Sequence, residues 1–268
     1  MPELPLRATI GAMNIHAPSQ RNRRLAAFLA AANGDTRLKA RWHAAQVTAE
    51  RLEMSDHSWV HLQIVLNRAL RLFRLLRGGG VQPSIVLDYG LDAKDAEVVI
   101  AAGCLLHDLG MSIHRVDHEA YSLFLAAEHL DMLLAGVYDE PERTIVASEA
   151  LHAIIGHRSG GRPLTLEAGI VRVADALDME HGRSRVAVES HLPNIHSLSA
   201  AAIDEVRILP GEQRTVRVEI DMNNSAGVFQ VDELLARKLR GSGLEDHVEV
   251  VAQIEAEHEK RLLTVYRI

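Results

Sequence analysis

Residues 105–119 read LLHDLGMSIHRVDHE, and they set His107, Asp108, His114 and His118, all side chains of metal-ligating type, in one short segment. The run before them, VVIAAGCLL, is apolar, so His107 and Asp108 close a helix directed into the protein interior. A buried imidazole or carboxylate must be hydrogen-bonded, paired or bound to an ion. Imidazole and carboxylate together suit Mn, Fe, Co, Ni or Zn better than Ca. Adjacent residues on a helix point about 100° apart, so two adjacent ligands share one metal only near a helix end, or else face two metals. More candidates stand on other apolar segments: His57 and His61 before and within WVHLQIVLNRALRL, His157 in IIGHRSGG, and Asp175 in VADALD. Asp175 lies between Val173, Ala174, Ala176 and Leu177, and a carboxylate in that setting calls for a partner.

The elements that must position these residues are mostly helices. The pattern predicts helices over 20–32, 36–53, 59–76, 92–109, the segment from His118 to about 136, from Pro141 to His157, and from Thr165 onward. Asp92 and Thr165 are suited to N-caps, and RGGG after residue 76 is a strong stop. Residues 1–19 have no clear period and read as a flexible N-terminus, and 20–190 as a helical domain. The texture changes near residue 200. TVRVEIDM, VEVVAQIEA and RLLTVYRI alternate as strands, DEVRILP is a further strand candidate, and VDELLARKLRGSG is a helix ended by glycine. The expected fold class is mostly α, a helical bundle with a small C-terminal α/β domain over 200–268. The strands of that unit could pair with a second copy, so a homodimer is the expected assembly.

Composition narrows the function. Aromatics are only 4% of 268 residues, which suits a core of Leu, Val, Ile and Ala between helices. The net charge of −7 offers no global basic field, so no nucleic-acid partner is expected, and phosphates must be met by local arginines or metals. The single cysteine, Cys104, forms no disulfide within the chain. The N-terminus lacks a long apolar signal segment, and no apolar run approaches the ~20 residues of a membrane span. A soluble cytoplasmic protein without membrane partners is expected.

Three blocks over about residues 50–185 resemble the HD superfamily of metal-dependent phosphohydrolases: HLQIVLNRALRL, with His61, Val65 and Ala69; AAGCLLHDLG, the His-Asp signature; and GIVRVADALDM, similar to the block holding the last ligating Asp. The resemblance implies His61, His107, Asp108 and Asp175 as core metal ligands. Members with two metals add two histidines. Here DHEAYSLFLA and GHRSGGRPLTLEAG resemble those segments and imply His118 and His157, with His129 and His152 as competitors. One or two divalent transition-metal ions are therefore expected. Such centres lower the pKa of bound water. The implied activity is hydrolysis of a phosphomonoester or phosphodiester, with a small-molecule phosphate ester or nucleotide as substrate.

Three residues take catalytic roles in that reading. Asp108 orients the water while ligating. His114 and Arg115, in the loop after the pair, either contact the phosphate, with His114 also able to protonate the leaving oxygen, or simply face solvent. Arg158, Arg162, Arg183 and Arg185 are further phosphate candidates. The same ligand set also resembles HD relatives that hold two irons and cleave C–H or C–P bonds with oxygen. A third reading is a non-catalytic HD module that binds without turnover, against which the presence of all four core ligands argues.

Overall fold

The computed structural model describes residues 5–180, 199 and 201–254. Nine helices in these residues, α1 (Leu6–Ala12), α2 (Arg23–Gly34), α3 (Thr36–Arg51), α4 (Trp59–Gly78), α5 (Ser84–Tyr89), α6 (Ala93–Leu106), α7 (His118–Leu134), α8 (Glu142–Gly156) and α9 (Leu166–Leu177), precede three strands, β1 (Ile203–Pro210), β2 (Val216–Met222) and β3 (Val248–Ile254). A 3₁₀ turn, Leu109–Ser112, follows α6, and a π-helical stretch, Gln230–Ala236, runs into a single turn, Arg237–Leu239, between β2 and β3.

The helix starts follow from side chains that satisfy orphan N–H groups. Asn22, Asp35, Ser58 and Thr165 accept from backbone amides of α2, α3, α4 and α9. Asp92 and Asp95 form a capping box on α6. The last of these helices is the central one. It is buried from Asp95 to Leu106, as expected of a helix apolar on all sides. Trp42 of α3 donates its indole N–H to the Leu105 carbonyl at 2.9 Å, fixing the end of α6 that leads into His107. Gly103 lets α8 and α9 approach α6 closely: a Cβ there would lie 2.9 Å from Val171 Cγ2 and 3.1 Å from Ala153 Cβ. The three helices that carry His107, His157 and Asp175 are thus packed tightly just before the site.

β1 pairs antiparallel with β2, Val206 opposite Ile220 and Ile208 opposite Val218, and β2 pairs parallel with β3. Val216, Val218, Ile220 and Met222 of β2 turn inward in strict alternation. They join the same buried cluster as α4 and α6, which runs from Met13 to Val248. The C-terminal sheet therefore shares one core with the helices.

Two sequence expectations change. Residues 5–19 are not a loose tail: they contain α1, they bury Met13 and Ile15, and the Ile15 backbone exchanges hydrogen bonds with the Asn33 side chain. The periodicity missed this because two buried side chains anchor a segment otherwise rich in turn residues. α5 was also not expected. Its six residues are held by the buried carboxylate of Glu167, which accepts from the Ser84 and Ile85 amides, contacts across 83 and 82 residues of chain. The strand expected over RLLTVYRI lies outside the described residues.

Candidate metal centre

His61 projects from the first turn of α4, His107 caps α6, and Asp108 opens the 3₁₀ turn. His118 begins α7, His157 caps α8, and Asp175 sits in the last turn of α9. All six are buried. The structure brings together every residue expected as a ligand, from five segments of chain.

Asp108 is the centre of the arrangement. Its Oδ2 lies 3.4 Å from His107 Nε2 and 3.7 Å from His61 Nε2. Its Oδ1 lies 3.3 Å from His118 Nε2 and 4.0 Å from His157 Nε2. Asp175 joins the first pair, Oδ1 being 3.5 Å from His61 Nε2 and 3.8 Å from His107 Nε2. Donor atoms about 2.1 Å from one ion stand roughly 3–4 Å from one another, so these spacings fit shared ions. Two overlapping groups have that geometry, His61–His107–Asp108 and Asp108–His118–His157.

The opposite ring nitrogens explain the orientation. His61 Nδ1 donates to Asp178 Oδ2 at 2.6 Å, His107 Nδ1 to the Cys104 carbonyl at 2.9 Å, and His157 Nδ1 to the Ile154 carbonyl. These acceptors fix the proton on Nδ1 and leave Nε2 as a lone-pair donor, the usual outer arrangement of a metal-binding histidine. At His118 Nδ1 the Arg115 carbonyl at 3.1 Å and Glu119 at 3.2 Å compete with the Arg115 guanidinium at 2.7 Å.

A test of fit lies in His107. Its Nε2 is buried with no hydrogen-bond partner among the described residues, and it faces two carboxylate oxygens. A lone pair set against anionic oxygens is repulsive unless a cation stands between them. Hard and borderline donors of this kind suit a divalent transition metal.

The electrostatics agree with the geometry. Burial pushes the His107 imidazole below its ordinary value despite Asp108 and Asp175. Burial, with His107 and Lys238 acting in the same direction, holds His157 well below it. Burial would raise the Asp108 carboxyl, but His107, His118 and His57 outweigh it and keep the group well below the carboxylate range. At His118 burial is outweighed by the hydrogen bond and charge of Asp108, so its value rises.

Other expected residues fall outside the cluster. His114 is exposed, its Nδ1 accepting from the Val116 amide. Arg115 is exposed but reaches the His118 ring. His57 packs beside His61, ring centroids 5.8 Å apart, with Nδ1 on the Ser55 carbonyl. His129 turns to Asp35, and His152 accepts from the Leu164 amide, so neither competitor replaces His118 or His157. Arg158 and Arg162 line a cleft of about 500 Å³ beside Gly156, while Arg183 and Arg185 lie outside the described residues.

An HD domain model matches residues 61–180, the stretch from the first ligand to just past the last. The uncharacterized protein MJ1020 of Methanocaldococcus jannaschii is 38% identical over 207 residues, 77% of this chain and 80% of that one. The chain belongs to the HD domain family. Ribonuclease Y of Desulforamulus reducens is 33% identical over 116 residues, and ribonuclease Y of Thermoanaerobacter pseudethanolicus 35% over 120. Those matches cover 43% and 44% of this chain but only 20% of either ribonuclease, so the likeness is to a small part of each. No helix among the described residues is long and apolar enough to cross a membrane.

Three residues that serve this HD domain escaped the sequence reading. Asp178 orients His61, and Arg68 of α4 braces Asp178 and Glu180 at 3.8 and 2.6 Å and also donates to the Leu177 carbonyl. The signal for Asp178 was present: it stands three residues after Asp175 in the same apolar frame, ADALD. Lys238 contacts Asp175 Oδ2 from 63 residues away, which no local pattern reveals. Replacing the hydrogen-bond acceptor that orients a ligating histidine, as Asp178 does for His61, typically costs 10–100-fold in metal affinity. Asp178→Ala is therefore expected to weaken metal binding by about that factor while the helical content by circular dichroism stays unchanged. Unaltered affinity in a metal titration would show that Asp178 does not set the His61 ring.

Proposed function

We propose that the protein is a metal-dependent phosphohydrolase with two divalent ions, cleaving the phosphomonoester or phosphodiester of a small molecule, with nucleotides as the first class. The observation that carries this reading is the division of Asp108: one carboxylate oxygen faces His61 and His107, the other His118 and His157. A residue placed between two donor pairs is what a bridging ligand requires. The name ribonuclease borne by two relatives supports phosphoester chemistry on a ribonucleotide backbone.

Divalent cations held by His61, His107, Asp108, His118, His157 and Asp175 would supply activated water and neutralise phosphoryl oxygens. The chain's own contribution is to hold the donors without rearrangement. Asp108 is kept ionised by the histidines around it. Burial disfavours the protonated form of the His107 and His157 rings. Asp178 and the Cys104 and Ile154 carbonyls fix three rings with Nε2 inward. Arg115, exposed beyond its contact with His118, is assigned to the phosphate oxygens, a task for which a planar guanidinium is suited. His114 takes no comparable position, so its role in protonating the leaving oxygen has no support from its place in the fold.

The test is a turnover screen on full chain purified without chelator. Nucleoside mono-, di- and triphosphates and a bis-aryl phosphodiester would be offered, with Mn, Fe, Co, Ni and Zn each restored after stripping. The expected result is phosphate or alcohol release that chelation removes and one of these metals restores. Absence of hydrolysis with every metal, together with oxygen consumption by anaerobically prepared iron protein, would replace this reading by the oxygenase one.

A further inference from the structure

Asp175 divides its two oxygens as Asp108 does, but between unlike neighbours. Oδ1 faces His61 and His107, while Oδ2 receives the ammonium of Lys238. Lys238 belongs to the turn Arg237–Leu239, after the first two strands. Its placement is firmly built. Arg172, buried on α9 one turn before Asp175, donates Nε to the Lys238 carbonyl at 2.9 Å and Nη2 to the Arg237 carbonyl at 3.3 Å. The same guanidinium holds the Arg158 carbonyl at 2.8 Å and the Gly161 carbonyl, in the loop that follows His157. One side chain thus ties the Lys238 turn and the His157 loop to the helix bearing Asp175.

A lysine is an adverse choice next to a cation's ligand. Like charges a few ångströms apart repel, so the ammonium opposes the ion that Asp175 is placed to hold. Orientation of Oδ2 alone would be served by any neutral donor. The charge has a purpose if an anion is to bind at the same place. The side chain is 19% exposed, so it lies at the rim of the buried cluster. Its charge also acts on the His157 ring.

We propose that Lys238 is a substrate-contacting residue supplied by the C-terminal unit, resting on Asp175 Oδ2 without substrate and taking an oxygen of the substrate's phosphate when cations have claimed Asp175. The proposal rests on the phosphohydrolase reading. It makes the C-terminal unit part of the catalytic site, with the phosphate bridging the HD ligands and the lysine.

The test uses full-length protein loaded with the metal it retains on purification, and inorganic phosphate as probe. Metal affinity and phosphate affinity are measured by calorimetry for wild type, Lys238→Met, which keeps the aliphatic stem, and Lys238→Arg, which keeps the charge. Loss of a charged hydrogen bond predicts phosphate binding weakened about 10- to 100-fold in Lys238→Met. Metal binding should be as tight as in wild type or tighter, and Lys238→Arg should recover most of the phosphate affinity. Equal phosphate affinity in Lys238→Met and wild type would overturn the proposal and leave the hydrolase reading standing. So would a parallel loss of metal and phosphate binding, since that marks a purely positioning role. Absence of phosphate binding to metal-loaded wild type would overturn the hydrolase reading itself, and the proposal with it.

Discussion

On the two-ion reading proposed above, Asp108→Ala is expected to leave the protein without metal, whereas His118→Ala and His157→Ala should each leave about one equivalent. The asymmetry follows from where the donors stand. Asp108 is the residue shared by the two ligand groups, while His61 and His107 serve only the first, and His118 and His157 only the second. Deleting a shared ligand also removes the negative charge that offsets two adjacent cations, so both positions suffer. The loss should exceed the roughly 10–100-fold penalty typical of outer partners at each position. The substitution leaves the helices intact, because Asp108 makes no side-chain cap and sits after the end of α6. Metal content by mass spectrometry of protein purified without chelator, with circular dichroism as control, reads the outcome directly. One equivalent retained in Asp108→Ala would show that the two groups do not share this carboxylate. Wild type with one equivalent, unaffected by His118→Ala, would confine the centre to His61, His107, Asp108 and Asp175.

The residues that the structure gathers were legible because their signals are local. A His-Asp pair closing an apolar run, and an Asp inside VADAL, declare themselves by the cost of burying them alone. His118 and His157 needed the family resemblance, since a histidine at a helix end has many uses, and His129 shows the difficulty. It too is buried, yet it serves Asp35, the residue that caps α3. Helix positions were readable from caps and periodicity to within a few residues, as at Thr165 and Asp92. Contacts between distant segments were not. Glu167 building α5, Arg172 binding the Lys238 turn, and Lys238 on Asp175 join residues 63 to 83 positions apart, and a polar group at each of these places reads in sequence as ordinary surface charge. The division between a helical domain and a separate C-terminal unit was drawn from texture, helical period against strand alternation. Texture carries no record of the inward face of β2 meeting α4 in a common core.

The second large effect is expected at a residue with no side chain. Gly110 follows the His-Asp pair by two positions, and its amide donates to Ser122 Oγ at 2.8 Å, while the Ser122 hydroxyl donates to the His107 carbonyl at 2.5 Å. Together these bonds clamp the 3₁₀ turn onto the first turns of α7. A Cβ at Gly110 would lie 1.9 Å from the His118 carbonyl oxygen and 2.8 Å from both the His118 carbonyl carbon and the Ser122 amide nitrogen. All three are backbone atoms, so no rotamer change relieves the clash, and either α7 or the turn has to move. Overpacking of this kind costs about 1–3 kcal/mol or more, a fall in Tm on the order of 5–10 °C for a chain of this size. The displacement is aimed at the start of α7, which carries His118, while His61, His107 and Asp175 stand on other helices. Gly110→Ala should therefore lose about one metal equivalent selectively and keep the other. Gly136→Ala is the control: nothing lies within 4 Å of a Cβ there, and both Tm and metal content should match wild type. A Gly110→Ala protein with two equivalents and an unchanged Tm would mean that α7 is not seated against the His-Asp turn. Loss of both equivalents with an intact fold would mean that the turn holds Asp108 itself, because Asp108 is what the two groups share.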